Sequence, residues 1–398
     1  MKFNLNRYLF GLSLALDCVE SELLGVTTYH GLRVAYVAVR LARLLGLSDR
    51  EVFDLAAFAI LHDNGLAEES LTQNLPVRGR LDGVEAAALH CTIGESNIAA
   101  FPFQTSVRGI VEYHHEHWDG SGFFDLRGDE IPLMAQIVGL ADYADLRCRF
   151  AEAASRACVQ AFLDDTSGRT FSPHLVDAFR QASASTAFWL DLRDPFIHAG
   201  LHRVMPEMSL ELGWREVLEI SRVFSKIIDS KSRFTSRHSR GLEEKTAHMA
   251  DHFALDDETK TRLRIAASLH DVGKLAMPNA ILDKPGRLTD DERQKMSEHT
   301  YYTRICLEPI PDFGQITEWA SNHHEKLNGR GYPLGLAADQ LDPWSRLLTV
   351  LDIYQALTEE RPYRQPLPHS QVMAMLERMS REGELDGGMV AAVGWALS

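Results

Sequence analysis

Apolar residues recur at three- and four-residue spacing through most of the chain, most clearly over Leu32 to Leu45 and Arg215 to Ile228, and this period predicts amphipathic helices. Alternating β-branched runs are scarce. The most strand-like segment, Leu347 to Leu351, is short and reads better as buried helix. Two apolar runs, Phe53 to Leu61 and Ile265 to Leu269, each lead directly into a His-Asp pair, His62-Asp63 and His270-Asp271. The pattern predicts an all-α protein.

The two His-Asp pairs belong to a longer repeat. His30, His62-Asp63, His90, His114-His115 and Asp142 recur as His238, His270-Asp271, His299, His323-His324 and Asp352, at offsets of 208, 208, 209, 209 and 210 residues. Five elements in one order at near-constant offset identify an internal duplication. The apolar stretch Tyr8 to Leu16 follows Lys2 and Arg7 as a targeting signal would. However, Asp17 and Glu20 follow it with no small-residue cleavage site, and Ser13 and Thr27 fall opposite Ser221 and Thr235, which places it inside the repeat. Asp194-Pro195, Gly200, Pro206 and Gly213 interrupt the pattern between the copies. The expected organisation is a first helical domain over 1–190, a junction over 191–212 and a second domain over 213–398.

Composition narrows the class. A chain of 398 residues, 45% hydrophobic and 24% charged, can bury a large core and is neither fibrous nor disordered. The net charge of −15, with no Lys/Arg cluster, argues against DNA, RNA or an anionic membrane as partner. A phosphate-bearing substrate would therefore need local cations. No apolar run approaches the roughly 20 residues of a membrane span. Five cysteines, an odd number without a CxxC pair, fit a reducing cytosol, so a cytoplasmic location is expected.

The candidate chemistry is metal binding. Imidazole is a common borderline ligand, and a carboxylate can bridge two ions. Adjacent His270 and Asp271 can face one site only at a helix end, and Val272-Gly273 supplies that break. With His238, His299, His323, His324 and Asp352 they make seven candidate ligands, enough for two divalent ions. One buried histidine is more often a hydrogen-bonded core residue. Five histidines and two aspartates, repeated twice, would each need a buried partner, which a plain core does not offer.

His270-Asp271-Val272-Gly273-Lys274 and the run His323-His324-Glu325-Lys326-Leu327-Asn328-Gly329-Arg330-Gly331-Tyr332-Pro333 resemble the HD-GYP branch of the HD-domain metal phosphohydrolases, closely over His238 to Arg364. The resemblance implies two tandem HD-type helical domains, iron or manganese as metal, and hydrolysis of a cyclic dinucleotide, cyclic di-GMP or 3',3'-cyclic GMP-AMP, by a hydroxide activated between two metals. It implies that His238, His270, Asp271 and Asp352 hold one metal and Asp271, His299, His323 and His324 the other. It also implies that Lys274, Arg361 and Arg364 meet substrate phosphate, with Tyr332 as the motif tyrosine. Phe234 stands four residues before His238, where relatives with a third metal carry a carboxylate, so two metals are expected.

The first copy keeps His30, His62, Asp63, His90, His114, His115 and Asp142, a candidate second metal site. Leu66 stands in place of Lys274, Phe123-Phe124 in place of Tyr332-Pro333, and Ala151 and Ala154 in place of Arg361 and Arg364. That pattern suggests a degenerate copy, regulatory or kept for packing, with turnover in the second copy. Two rivals are a cyclic-dinucleotide sensor that passes its signal to protein partners without hydrolysis, and an HD phosphohydrolase for other nucleotides. Lys274, Tyr332 and the full ligand set argue against the former, and the long glycine-rich motif ending at Pro333 against the latter.

Overall fold

The computed structural model of the protein describes residues 1–73, 87–106, 108–152, 156–232, 238–360 and 365–398. The chain divides into two compact units, Lys2–Leu210 and Glu211–Ser398, the second joined by Met1. Among the described residues, β-structure amounts to the two-residue strands Lys2–Phe3 and Leu210–Glu211 and two isolated bridges, so both units are helical as the periodicity predicts. None of the described helices is long and apolar enough to cross a membrane.

The first unit opens with α1 (Leu5–Leu24), α2 (His30–Leu44) and α3 (Asp49–Leu61), followed by α4 (Ala87–Ile98) and α5 (Leu133–Cys148). Ser48 starts α3 by accepting from the Glu51 backbone amide, while the Glu51 carboxylate accepts from the Ser48 amide. From Val52 to Leu61 every residue of α3 is buried, the signature of a central helix, and it packs against α1, α2 and α5. The expected junction is not a bare tether. Helix Thr186–Asp191 leads into it and helix Ile197–Val204 lies within it, and this stretch buries Phe188, Leu192, Ile197 and Leu201 in the first unit.

The second unit repeats the plan with α6 (Trp214–Asp229), α7 (His238–His252), α8 (Asp257–Leu269), α9 (Asp290–Leu307), α10 (Gly314–Ser321) and α11 (Pro343–Thr358). Leu347 to Leu351 lies inside α11, so it is helix rather than strand. Asp256 caps α8 by accepting from the amides of Glu258 and Thr259. Ile265 to Leu269 are wholly buried where α8 meets α6, α7 and α10. Full burial of Ile265 and Leu269 contributes about 1.5–3 kcal/mol each. Glu243 on α7 accepts from Arg222 of α6 and Arg264 of α8, tying three helices together at their polar edge.

One close approach in each unit sets the position of a histidine helix. A methyl group at Gly273 would lie 1.9 Å from the His299 carbonyl oxygen and 2.7 Å from the Thr303 nitrogen, and one at Gly65 would lie 2.2 Å from the His90 carbonyl oxygen. Both obstacles are backbone, which cannot swing aside. Gly273→Ala is therefore expected to push α9 away and lower stability by about 1–3 kcal/mol, the usual cost of overpacking. A thermal melt checks this, and an unchanged transition would show that α9 has room to move.

Candidate metal centre

In the second unit, five chain segments deliver donors to one place. His238 is the first residue of α7, His270 closes α8, and Asp271 follows it into the 3-10 turn Val272–Ala276. His299 projects from α9, His323 and His324 follow α10, and Asp352 lies on α11. The break after α8 is what lets His270 and Asp271 face inward together.

The imidazoles are oriented by their own helices. Nδ1 of His270, His299 and His323 lies 2.7, 2.6 and 2.6 Å from the carbonyl oxygen of Ala267, Met296 and Ala320, each three residues earlier. A carbonyl only accepts, so each Nδ1 carries the proton and each Nε2 keeps its lone pair toward the cluster. His270 Nε2 and Asp271 Oδ1 are buried with no hydrogen-bond partner. Such an orphan costs about 1–3 kcal/mol, which a divalent cation would offset. The donor chemistry and these unsatisfied atoms together fit metal ions.

The donors fall into overlapping groups. Those of His299, His323 and His324 lie within 4.8 Å of one another, as do those of His238, His270 and Asp352, and those of His270, Asp271 and His323. Asp271 spans the set, with Oδ2 3.1 Å from His270 Nε2 and Oδ1 3.4 Å from His299 Nε2. Burial raises the Asp271 carboxyl, but His270 and the Lys274 ammonium outweigh it and hold the group well below the usual carboxylate range. Lys274 Nζ donates to Asp271 Oδ2 at 2.5 Å. Burial drives His299 down to about 3, so it is neutral and ready to coordinate. His238 behaves oppositely. Burial would lower it, yet Asp352 at 3.0 Å and Glu359 at 3.1 Å push it up to about 9.

The motif loop is held by one carboxylate. Buried Glu325 accepts from the amides of Leu334, Gly335 and Leu336, and Gly331 packs so near the Glu325 backbone that a methyl group would meet it at 2.4 Å. Asn328 Oδ1 accepts from the Arg330 amide, and Gly329 has φ +70°, as the Asn-Gly turn requires. The loop thereby sets the Tyr332 ring 4.9 Å from that of His324. Beside it lies a cavity of about 380 Å³, lined by Ser297, Glu298, Tyr301, Tyr302, Ile305, Tyr332 and Pro333.

The first unit gathers its own set. His62 and His114 donate Nδ1–H to the carbonyls of Ala59 and Val111, and His30 Nε2 lies 3.1 Å from Asp142. Asp63 Oδ1 is 3.1 Å from His90 Nε2 and 3.8 Å from His114 Nε2. His115 joins His90 and His114, and its Nδ1 is a buried orphan, as are His62 Nε2, His114 Nε2 and Asp63 Oδ1. Leu66 is buried at the place of Lys274, and Phe123 lies 6.3 Å from His115, centroid to centroid.

All fourteen candidate ligands thus sit in two clusters, one per unit. Arg361, Arg364, Phe234 and Ala154 lie outside the described residues. Sequence reasoning passed over several groups that act on the clusters. Glu359 and Asp145 take up Nδ1 of His238 and His30, respectively, and Arg33 pairs with Asp145. Thr303 accepts from the Gly273 amide and donates to the His270 carbonyl. Glu116 holds the first loop by accepting from Phe124 and Leu126, as Glu325 holds the second. A signal existed for some of these. Asp145 and Glu359 follow Asp142 and Asp352 by one and two helical turns, and Glu116 and Glu325 share the repeat offset.

Residues 18–160 and 222–389 both match the HD domain family. A 3'3'-cGAMP-specific phosphodiesterase 1 of Vibrio cholerae is 30% identical over 397 residues, covering 96% of this chain and 89% of that protein. A second Vibrio cholerae protein, 3'3'-cGAMP-specific phosphodiesterase 3, is 29% identical, covering 94% of this chain and 91% of that protein. A cyclic di-GMP phosphodiesterase of Thermotoga maritima is 33% identical over 42% of this chain and 45% of its own length. The crystal structure of a cyclic GMP-AMP specific phosphodiesterase from V. cholerae superimposes with a TM-score of 0.72 at 27% identity, covering 100% of this chain and 98% of that one. With both repeats inside the family match and relatives alike over nearly their whole length, the chain belongs to the HD domain family, in the branch of cyclic-dinucleotide phosphodiesterases that its two motifs resemble.

Proposed function

We propose that the second unit is a metal-dependent phosphodiesterase that opens a cyclic dinucleotide to a linear product in the cytoplasm. The observation that carries this reading is the pair of buried, unsatisfied donors on His270 and Asp271, flanked by the Lys274 ammonium. The relatives matched over nearly their full length are named for 3'3'-cGAMP, which makes it the first substrate to test and cyclic di-GMP the second.

Two divalent ions, iron or manganese, held by His238, His270, Asp271 and Asp352 and by Asp271, His299, His323 and His324, would supply an acidified water and offset phosphoryl charge. The chain's own residues do the rest. Asp271 sits between the two histidine groups and contributes negative charge to both. Lys274 spends one of its three N–H donors on Asp271 and has others for a phosphate oxygen. In a chain of net charge −15, that local cation is what draws and holds a phosphate. Arg361 and Arg364 would add charge to the same phosphate. Tyr332, Tyr301 and Tyr302 border the adjoining cavity and offer ring faces on which a nucleobase stacks.

The first unit binds metal without turning over substrate. Its donors are in place, but Leu66 occupies the position of Lys274, and Ala151 and Ala154 those of Arg361 and Arg364. Stabilising a phosphoryl transition state needs fixed positive charge that these residues lack.

Asp271→Ala is expected to abolish turnover and to lower the metal bound by the second unit, because both donor groups lose their shared carboxylate. Activity retained by this variant would sink the two-metal reading. Lys274→Ala should keep metal content near wild type while turnover falls about 10- to 1000-fold, the scale of losing one preorganised charge. Loss of metal would instead make Lys274 structural. His270→Ala with Asp271→Ala should remove hydrolysis of 3'3'-cGAMP, whereas His62→Ala with Asp63→Ala should leave most of it. If product analysis shows the reverse, the assignment of the two units is exchanged.

A further inference from the structure

The two clusters differ at one position that the shared ligand pattern hides. Cys91 follows His90 on α4 as Thr300 follows His299 on α9. Thr300 turns its hydroxyl back to the Ser297 carbonyl at 3.1 Å and takes no part in the second cluster. Cys91 does the opposite. Its Sγ lies 3.5 Å from His90 Nε2, and the donor atoms of His90, Cys91, His114 and His115 all lie within 4.8 Å of one another. The corresponding group in the second unit is three histidines with no sulfur.

A buried cysteine beside a histidine is by itself ordinary packing. Here a second observation points to an ion. His114 Nε2 and His115 Nδ1 are both buried without a hydrogen-bond partner. The His114 orphan is enforced, since its Nδ1–H is committed to the Val111 carbonyl at 2.6 Å and its Nε2 can only accept. Behind the group, the Glu69 carboxylate lies 3.3 Å from His90 Nδ1, within ion-pair distance but outside hydrogen-bond geometry. The buried side chain of Leu66 leaves no ammonium there to compete with a cation.

We infer that His90, Cys91, His114 and His115 form a four-coordinate site for zinc or another thiophilic divalent cation, so that the two units of one chain select different metals. Three imidazoles and a thiolate suit a tetrahedral, sulfur-tolerant ion, whereas a nitrogen and oxygen set equally accommodates iron or manganese. Asp63 and Glu69 lie near enough to balance the charge that remains after one thiolate binds a dication. The inference stands apart from the hydrolysis assigned to the second unit and survives if that assignment fails.

Cobalt(II) reports the sulfur directly. The full chain, stripped with chelator and reloaded with cobalt, should show a near-ultraviolet sulfur-to-cobalt charge-transfer band. Cys91→Ser and Cys91→Thr should each abolish it, while Asp271→Ala should keep it. Under excess manganese, the wild type should retain one zinc per chain, and both Cys91 variants should bind zinc about tenfold more weakly or worse. Absence of the band from wild type overturns the site, independently of how the variants fold. Persistence in a folded Cys91 variant overturns it equally, because the sulfur then comes from another cysteine.

Discussion

A buried imidazole offers one nitrogen to a cation most favourably when its other nitrogen is already satisfied, and five histidines of the two clusters are built on that constraint. His62, His114, His270, His299 and His323 each meet it by donating Nδ1–H to the carbonyl three residues earlier. That geometry is readily available at a helix end or turn, where the carbonyl has no amide four residues on, and within α9 the second lone pair of the Met296 carbonyl serves the same end. His62 and His270 close their helices, and His114 and His323 sit in turns. The architecture therefore reads as a way of bringing helix ends to one point. Central helices buried on every side give each end a fixed direction.

The same constraint explains the close approaches. A ring fixed by its own backbone can reach a shared centre only if that backbone comes near. Gly65 and Gly273 let the chain after each His-Asp pair lie directly on the carbonyl of His90 or His299. Thr303 then fastens the contact in the second unit, accepting from the Gly273 amide and donating to the His270 carbonyl. Two of the candidate ligands are thus coupled through main-chain contact, so a fault in packing would reach the donors without touching any of them.

The helical class and all fourteen candidate ligands could be read from the sequence, because residues that must converge on a point cannot drift independently and so kept their spacing through the duplication. Groups that serve only one ligand escaped notice. Glu359 and Asp145 perform one task, satisfying Nδ1 of the first histidine, from positions seven and three residues beyond the aspartate, so the repeat offset fails for them. Helical periodicity keeps both on the aspartate's face, but it keeps other residues there too. Cys91 was hidden for the opposite reason. It sits in perfect register, opposite Thr300, whose hydroxyl is turned to the Ser297 carbonyl, so the repeat of shared ligands does not mark it. The apolar junction gave a boundary only loosely, because its side chains are buried in the first unit and carry no break in hydrophobicity at Leu210.

Equal donor sets do not make equal sites, since charge around the donors decides what a bound metal can do. In the second unit, the Lys274 ammonium lies on Asp271 and remains partly open to solvent, so positive charge is already in place where a phosphate would arrive. In the first unit, the corresponding position is apolar, and two further groups beside the cluster, Glu69 and Glu20, are acidic. Glu20 is buried, and that burial pushes its carboxyl up to about 8 against the opposing pull of His30. At neutral pH this group is largely protonated and contributes little field. The first cluster thus gathers its donors among buried carboxylates with no ammonium in the place of Lys274, and the second gathers them beside a cation of its own. The latter arrangement would gain more from an anionic substrate, because the attraction of phosphate to a metal centre strengthens with each fixed positive charge that shares it.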